Sequence, residues 1–272
     1  MFNDLASVSL PDTQASAESR GIAIDAVGIR GLRYPITVAD GPGRESQTVG
    51  TFDMRVHLPA DKRGTHMSRF IELVQATPRR IDAQGIRQLT FQMVERLDAQ
   101  AGELAIAFPF FHEKAAPVSG VKSLTDCEVE WHTAVDALGC YHSALTVLVP
   151  ATSLCPCSKS ISAYGAHNQR SHIRIQAALS GTMHIHELIQ VAEAAASCPT
   201  YAILKRADEK SVTEKAYENA KFVEDMVRDV AAALRDDGRV ARFLVEVENF
   251  ESIHNHSAVA RIASCTRPQA GC

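Results

Sequence analysis

A chain of 272 residues, 46% hydrophobic and 22% charged, has the balance of a globular protein with enough apolar mass for one large core or two smaller ones. Its formal net charge of -4 and pI near 6.3 exclude a general electrostatic footprint for nucleic acid or an anionic membrane, so any anionic ligand must be met by a local basic pocket. No apolar run of about 18 residues appears, and Met1 to Arg20 lacks a basic start with an apolar centre, which points to a cytoplasmic chain with no membrane and no nucleic-acid partner. Seven cysteines, an odd number, suit a reducing compartment better than a disulfide framework.

Residues 1–21 are polar and aperiodic and read as a flexible leader, with ordered structure from near Ile22. A strand around Val27 to Val38 is expected to form a hairpin with Phe52 to Leu58, where Phe52, Met54, Val56 and Leu58 alternate with Thr51, Asp53, Arg55 and His57. Helical spacing follows over His66 to Ala76 and Ala83 to Gln100, with Gly102 as a stop. Strands are expected at Leu104 to Phe111, Cys127 to Val135, Tyr141 to Val149 and Ser171 to Leu179. Helices return at Ile185 to Ser197 and, as one long element, at Thr213 to Arg235; strands at Arg242 to Phe250 and Val259 to Ser264 close the chain. Strands then helices, twice, with extra strands at the seam and the end, make an α+β protein of antiparallel sheets with a helix layer on one face. The exposed edges of such sheets favour an oligomer.

Four segments carry the chemistry. CPCSKSISAYGAHNQRSH, Cys155 to His172, reads as a loop offering two thiols, a lysine and a histidine: either a soft metal ligand with a nucleophile and phosphate donors, or two small buried thiols beside a solvated His167. KRADEKSVTEKAYENAKFVED contains Glu209 in the turn before the long helix, where a carboxylate can face a site; its other acids suit a solvated surface. NFESIHNHSA brings Glu251, His254 and His256 to the mouth of a strand. TFDMRVHLPADKRGTHMSRF gathers His57, Lys62, Arg63, His66 and Arg69 at a strand-to-helix connection, either a polar loop or an anion-facing one.

Taken together and in order, GTFDMRVHLP with GTHMSRF, SLCPCSKSISAYGAHNQRSH, KRADEKSVTEKAYENAKFVED and NFESIHNHSA resemble the prokaryotic type IB GTP cyclohydrolases, from about Arg20 to Ser264. The resemblance implies a bimodular tunnelling fold, with tandem modules at about 22–102 and 103–272, assembled as a homotetramer with sites near subunit interfaces. It implies GTP as substrate, with 7,8-dihydroneopterin triphosphate and formate as products on the way to folate and 7-deazaguanine-modified tRNA. Carried over residue by residue, the metal ligands are Cys155, His167, Glu209 and His254, for a divalent ion such as Mn²⁺, Fe²⁺ or Zn²⁺. Cys157 matches the essential active-site cysteine and, with Cys155 and His167, makes up the catalytic set. Glu251 matches the acid that binds the purine edge, with two acceptors for guanine N1 and N2. Lys159, Arg69 and Arg63 are the candidates for binding the triphosphate, and His66 is a further candidate for substrate binding. The rival readings are a cysteine-dependent nitrile reductase of the same fold, a non-catalytic purine-binding oligomer, and a relative that makes a cyclic phosphate from the same substrate.

Overall fold

A computed structural model describes residues 13–14, 16–77 and 79–264. The leader expected at 1–21 lies partly outside these residues. Where it is described, it runs along the 59–65 loop: Glu18 N–H donates to Asp61 O at 3.0 Å, Gln14 Nε2 donates to Thr65 O at 3.0 Å, and Ala17 bridges Lys62.

The first half comprises β1 (Ile24–Ala39), β2 (Glu45–Leu58), α1 (Met67–Ala76), a two-residue β3 (Arg80–Ile81), α2 (Ala83–Arg96), β4 (Gly102–Ala115) and β5 (Lys122–Val135). The second comprises β6 (Tyr141–Leu154), α3 (Pro156–Ile161), β7 (Asn168–Leu179), α4 (Ile185–Ala195), a short β8 (Cys198–Pro199), α5 (Arg206–Glu218), α6 (Val223–Asp236), β9 (Val240–Asn249) and β10 (Ala258–Ala263). Among the described residues, nine of the strands form one path, β10-β9-β7-β6-β5-β4-β2-β1-β3, and β8 adds to β6. Every pairing there is antiparallel except that of β1 with β3. The α+β expectation is met. One sheet runs through both halves, because β4 pairs with β2 as well as with β5, and β5 pairs with β6.

The alternation in β2 does what its period requires: Phe52, Met54, Val56 and Leu58 are all buried while their neighbours are not. Helices cover the same face, with Phe70 of α1, Ile86, Leu89 and Met93 of α2, and Met226, Val230 and Leu234 of α6 in a single core with Leu104, Ile173, Ile175 and Val245 of the sheet. The two halves are also tied by charge. Asp40, buried at the end of β1, accepts from the N–H groups of Ile185 and His186 and lies 2.8 Å from His186 Nδ1, supplying from one half the cap that α4 of the other half requires.

The long helix expected at Thr213 to Arg235 is two helices. Apolar spacing continues across the join, but tertiary hydrogen bonds break it: Asn219 Nδ2 donates to Ala196 O and Ser197 O, Lys221 N–H to Leu154 O, and Phe222 N–H to Asp225 Oδ2 at the start of α6. The segment expected as a loop after Cys155 contains α3, with Pro156 at its first position, where a missing N–H costs nothing. Among the described residues, no helix is long and apolar enough to cross a membrane.

Candidate active site

The break between α5 and α6 opens one wall of a cavity of about 440 Å³, whose other walls are the α3 turn, the ends of β7 and β9 and the 251–258 turn. Cys155, Cys157, His167, Glu251 and His254 all line it. Residues distant in sequence converge because β6 and β7 are antiparallel neighbours, as are β7 and β9, so that the end of β6, the start of β7 and the end of β9 meet at one end of the strands.

Cys155 caps α3. Its sulfur accepts from Ser158 N–H at 3.4 Å, and its carbonyl accepts from Ser158 Oγ and Lys159 N–H. The chain then reverses through Gly165, whose φ of +120° an L side chain would strain, and returns so that Cys155 N–H donates to His167 O at 3.1 Å. His167 N–H in turn donates to Ser158 Oγ at 3.2 Å. Cys157, one residue inside α3, is exposed.

The His167 ring is held from one side. Its Nδ1 lies 2.9 Å from Gln169 Oε1, 3.4 Å from Ser252 Oγ and 4.0 Å from Glu251 Oε2. Side chains of His167 and Glu251 are each 14% exposed, which leaves the carboxylate open to a ligand yet partly desolvated. His254 and His256 stand exposed on the turn with rings stacked 5.1 Å apart. Beneath them, Ser171 Oγ donates to Asn249 Oδ1 at 2.6 Å, both residues being buried, and this pins the end of β9.

Other residues singled out in the sequence are elsewhere. Glu209 is on the exposed surface of the first turn of α5, not in a turn before the helix, and does not line the cavity. Its neighbour Asp208 is the buried one, accepting from the N–H groups of Val118, Ser119 and Lys205 and from Ser119 Oγ. Lys159 reaches back to Tyr217, donating to its carbonyl and lying 4.4 Å from its ring centre. Arg63, His66 and Arg69 sit around the β2–α1 connection and contribute nothing to the cavity lining of this chain.

As a metal centre the donor chemistry fits. Two thiols, three imidazoles and the carboxylates of Glu224 and Glu251 share one cavity, Glu209 not among them, and engagement of His167 Nδ1 leaves its Nε2 as the nitrogen open to a ligand. The side chains stand apart from one another: among the described residues no three His, Cys, Asp or Glu side chains are grouped closely enough to hold an ion. Sequence reasoning missed Gln169, Ser252 and Asn249. All three lie inside the motifs given above, but a buried amide in a strand or a serine in a turn carries no signal of its own until its partners are known.

The family model for type I GTP cyclohydrolase folE2 matches residues 10–260. The chain belongs to that family. It is 50% identical over 262 residues to the GTP cyclohydrolase FolE2 of Azoarcus sp. (strain BH72), with 96% of this chain and 97% of that one covered. The FolE2 protein of Neisseria meningitidis serogroup A is 52% identical over 255 residues, covering 94% of this chain and 85% of that one. Among solved structures, uricase from Arthrobacter globiformis aligns with a TM-score of 0.52 at 7% identity, covering 91% of this chain and 95% of the other. That likeness concerns the fold alone, and it is the tunnelling fold.

Proposed function

We propose that this chain is a GTP cyclohydrolase that hydrolyses GTP to 7,8-dihydroneopterin triphosphate and formate. The observation that carries the reading is the meeting of Glu251 with Cys155, Cys157, His167 and His254 around one cavity, in a chain of the FolE2 family. Glu251 presents two acceptor oxygens to the N1 and N2 donors of guanine, and its partial burial strengthens those bonds relative to water. Cys155, His167 and His254 would hold a divalent ion, joined by Glu209 if the start of α5 closes towards them. Mn²⁺, Fe²⁺ and Zn²⁺ all suit this mixture of sulfur, nitrogen and oxygen. When bound, the ion supplies the Lewis acidity that makes water a nucleophile at neutral pH, here towards guanine C8. A ligating nitrogen cannot also shuttle a proton, so proton transfer falls to groups outside the ligand set. His256 and the Cys157 thiol are two such groups on the cavity wall.

Arg63, His66 and Arg69 serve the triphosphate only if a second copy brings them to the cavity, and Lys159 only after releasing Tyr217. That requirement supports a homotetramer with sites near its interfaces. So do the outer side of β10 and most of the outer side of β1, which have no partner strand among the described residues. Such an enzyme works in the cytoplasm, with a product for folate or 7-deazaguanine tRNA synthesis.

The test is to strip the purified protein with chelator, add GTP with and without Mn²⁺ or Zn²⁺, and assay formate and the fluorescent oxidised pterin. Metal-dependent formate that disappears in Cys155→Ala and His254→Ala supports the reading. GTP that survives under every metal removes it.

A further inference from the structure

Gln169 lies directly across the β6–β7 ladder from Ser153, and both are buried, at 8% and 0% exposure. Its amide is used at both ends: Nε2 donates to Ser153 Oγ at 2.8 Å, and Oε1 faces His167 Nδ1 at 2.9 Å. The groups next nearest that nitrogen are also oxygens, the Ser252 hydroxyl and the Glu251 carboxylate. A ring nitrogen surrounded by acceptors carries the hydrogen, and in a neutral imidazole the other nitrogen then has the free lone pair.

We infer that Gln169 is a positioning residue, which with Ser153 as its anchor fixes His167 in the Nδ1–H tautomer and keeps Nε2 bare towards the cavity. The consequence for metal binding rests on the proposed function; the tautomer itself does not. An amide suits this task better than a carboxylate would beside Glu251, because it accepts the hydrogen bond without adding a second negative charge next to the purine-binding acid.

Two measurements test the relay. The first is the ¹⁵N spectrum of metal-free, histidine-labelled protein in the solid state, with His167 assigned by the signals lost in His167→Gln. Wild type and Gln169→Glu should show a protonated Nδ1 and a bare Nε2, and Gln169→Leu a mixture or the opposite tautomer. The second is titration with Co²⁺ alone, followed by its thiolate charge-transfer absorption. Gln169→Leu should bind about 10–100-fold more weakly, with Gln169→Glu restoring affinity to within about threefold of wild type. If Gln169→Leu fails to fold, Ser153→Ala, which releases the far end of the amide, should give the mixed tautomer signal. The inference is overturned if wild-type His167 carries its hydrogen on Nε2, or if the tautomer is indifferent to both substitutions. A wild-type protein that binds no Co²⁺ yet keeps the tautomer contrast supports the relay and removes the metal reading instead.

Discussion

Glu251 and His167 are 4.0 Å apart, too far for a strong mutual bond and close enough that a ligand reaching one is beside the other. The carboxylate is thus not consumed by the protein and is available to a purine edge. Replacing it with Gln keeps the shape but leaves one acceptor where there were two and removes the charge. Loss of charge-assisted hydrogen bonds of about 1.5–3 kcal/mol predicts a fall in kcat/KM for GTP of roughly 10–100-fold. The variant should also discriminate less between GTP and inosine triphosphate, which lacks the N2 donors. Steady-state kinetics on both nucleotides read this directly, and an unchanged ratio would separate Glu251 from guanine recognition. Its place at the mouth of a strand, and the density of reactive groups from Cys155 to His172, could be read from the residues, whereas the roles given to Glu251, Cys155, His167 and His254 came from the family resemblance. Gln169 could not be read in either way, since its meaning depends on a hydrogen bond across the ladder to Ser153 and another to a ring two residues away.

Two buried acids tie helix starts in this fold to distant segments. Asp208 is fully buried yet its carboxyl is held well below the usual range: burial on its own would raise it, but the Ser119 hydroxyl and the N–H groups of Ser119, Lys205 and Val118 outweigh that cost. These bonds tie the β4–β5 turn to the start of α5 and so set the direction in which Glu209 leaves the helix. A carboxyl depressed in the folded state stabilises fully above its unfolded value of about 3.9, and its contribution is lost as the pH falls below that towards the folded value. The gap in urea midpoint between wild type and Asp208→Asn should therefore be largest near pH 6 and shrink towards pH 3; a gap that does not change with pH would mean the carboxylate charge is irrelevant. Asp40 acts similarly across the two halves, and Asp40→Ala should cost about 1–2 kcal/mol by uncapping α4, seen as a fall of a few degrees in the melting temperature. Periodicity located α4 and most strands because burial on one face writes itself into the sequence. It merged α5 and α6 because Asn219 and Lys221 interrupt the helix through partners about 20 and 70 residues away, which no local window contains.

At the level of the whole molecule, the sheet is open. β10 pairs only with β9, and β3 covers β1 only at Thr37 and Val38, so two edges of an extended antiparallel sheet offer unpaired backbone among the described residues. Soluble proteins rarely leave such edges long and apolar unless another chain covers them. Ile24 at the start of β1 and Val259 in β10 are 44% and 57% exposed, apolar side chains where a terminal edge would be expected to carry lysine or proline. Joining edges between copies would bury them, and further packing of such pairs would give the arginines of the β2–α1 connection a cavity to serve. Size-exclusion chromatography with light scattering should find the wild type at four times its 29.5 kDa chain mass, and Ile24→Lys with Val259→Lys should shift it towards smaller species. If the arginines act on a neighbour's substrate, that double variant loses GTP affinity in step with its mass while retaining Co²⁺ binding, since Cys155, His167 and His254 all belong to one chain. Full GTP affinity in a monomer would instead mean that the triphosphate is bound within a single subunit, with Lys221 on the cavity wall, or Lys159 released from Tyr217, taking that part.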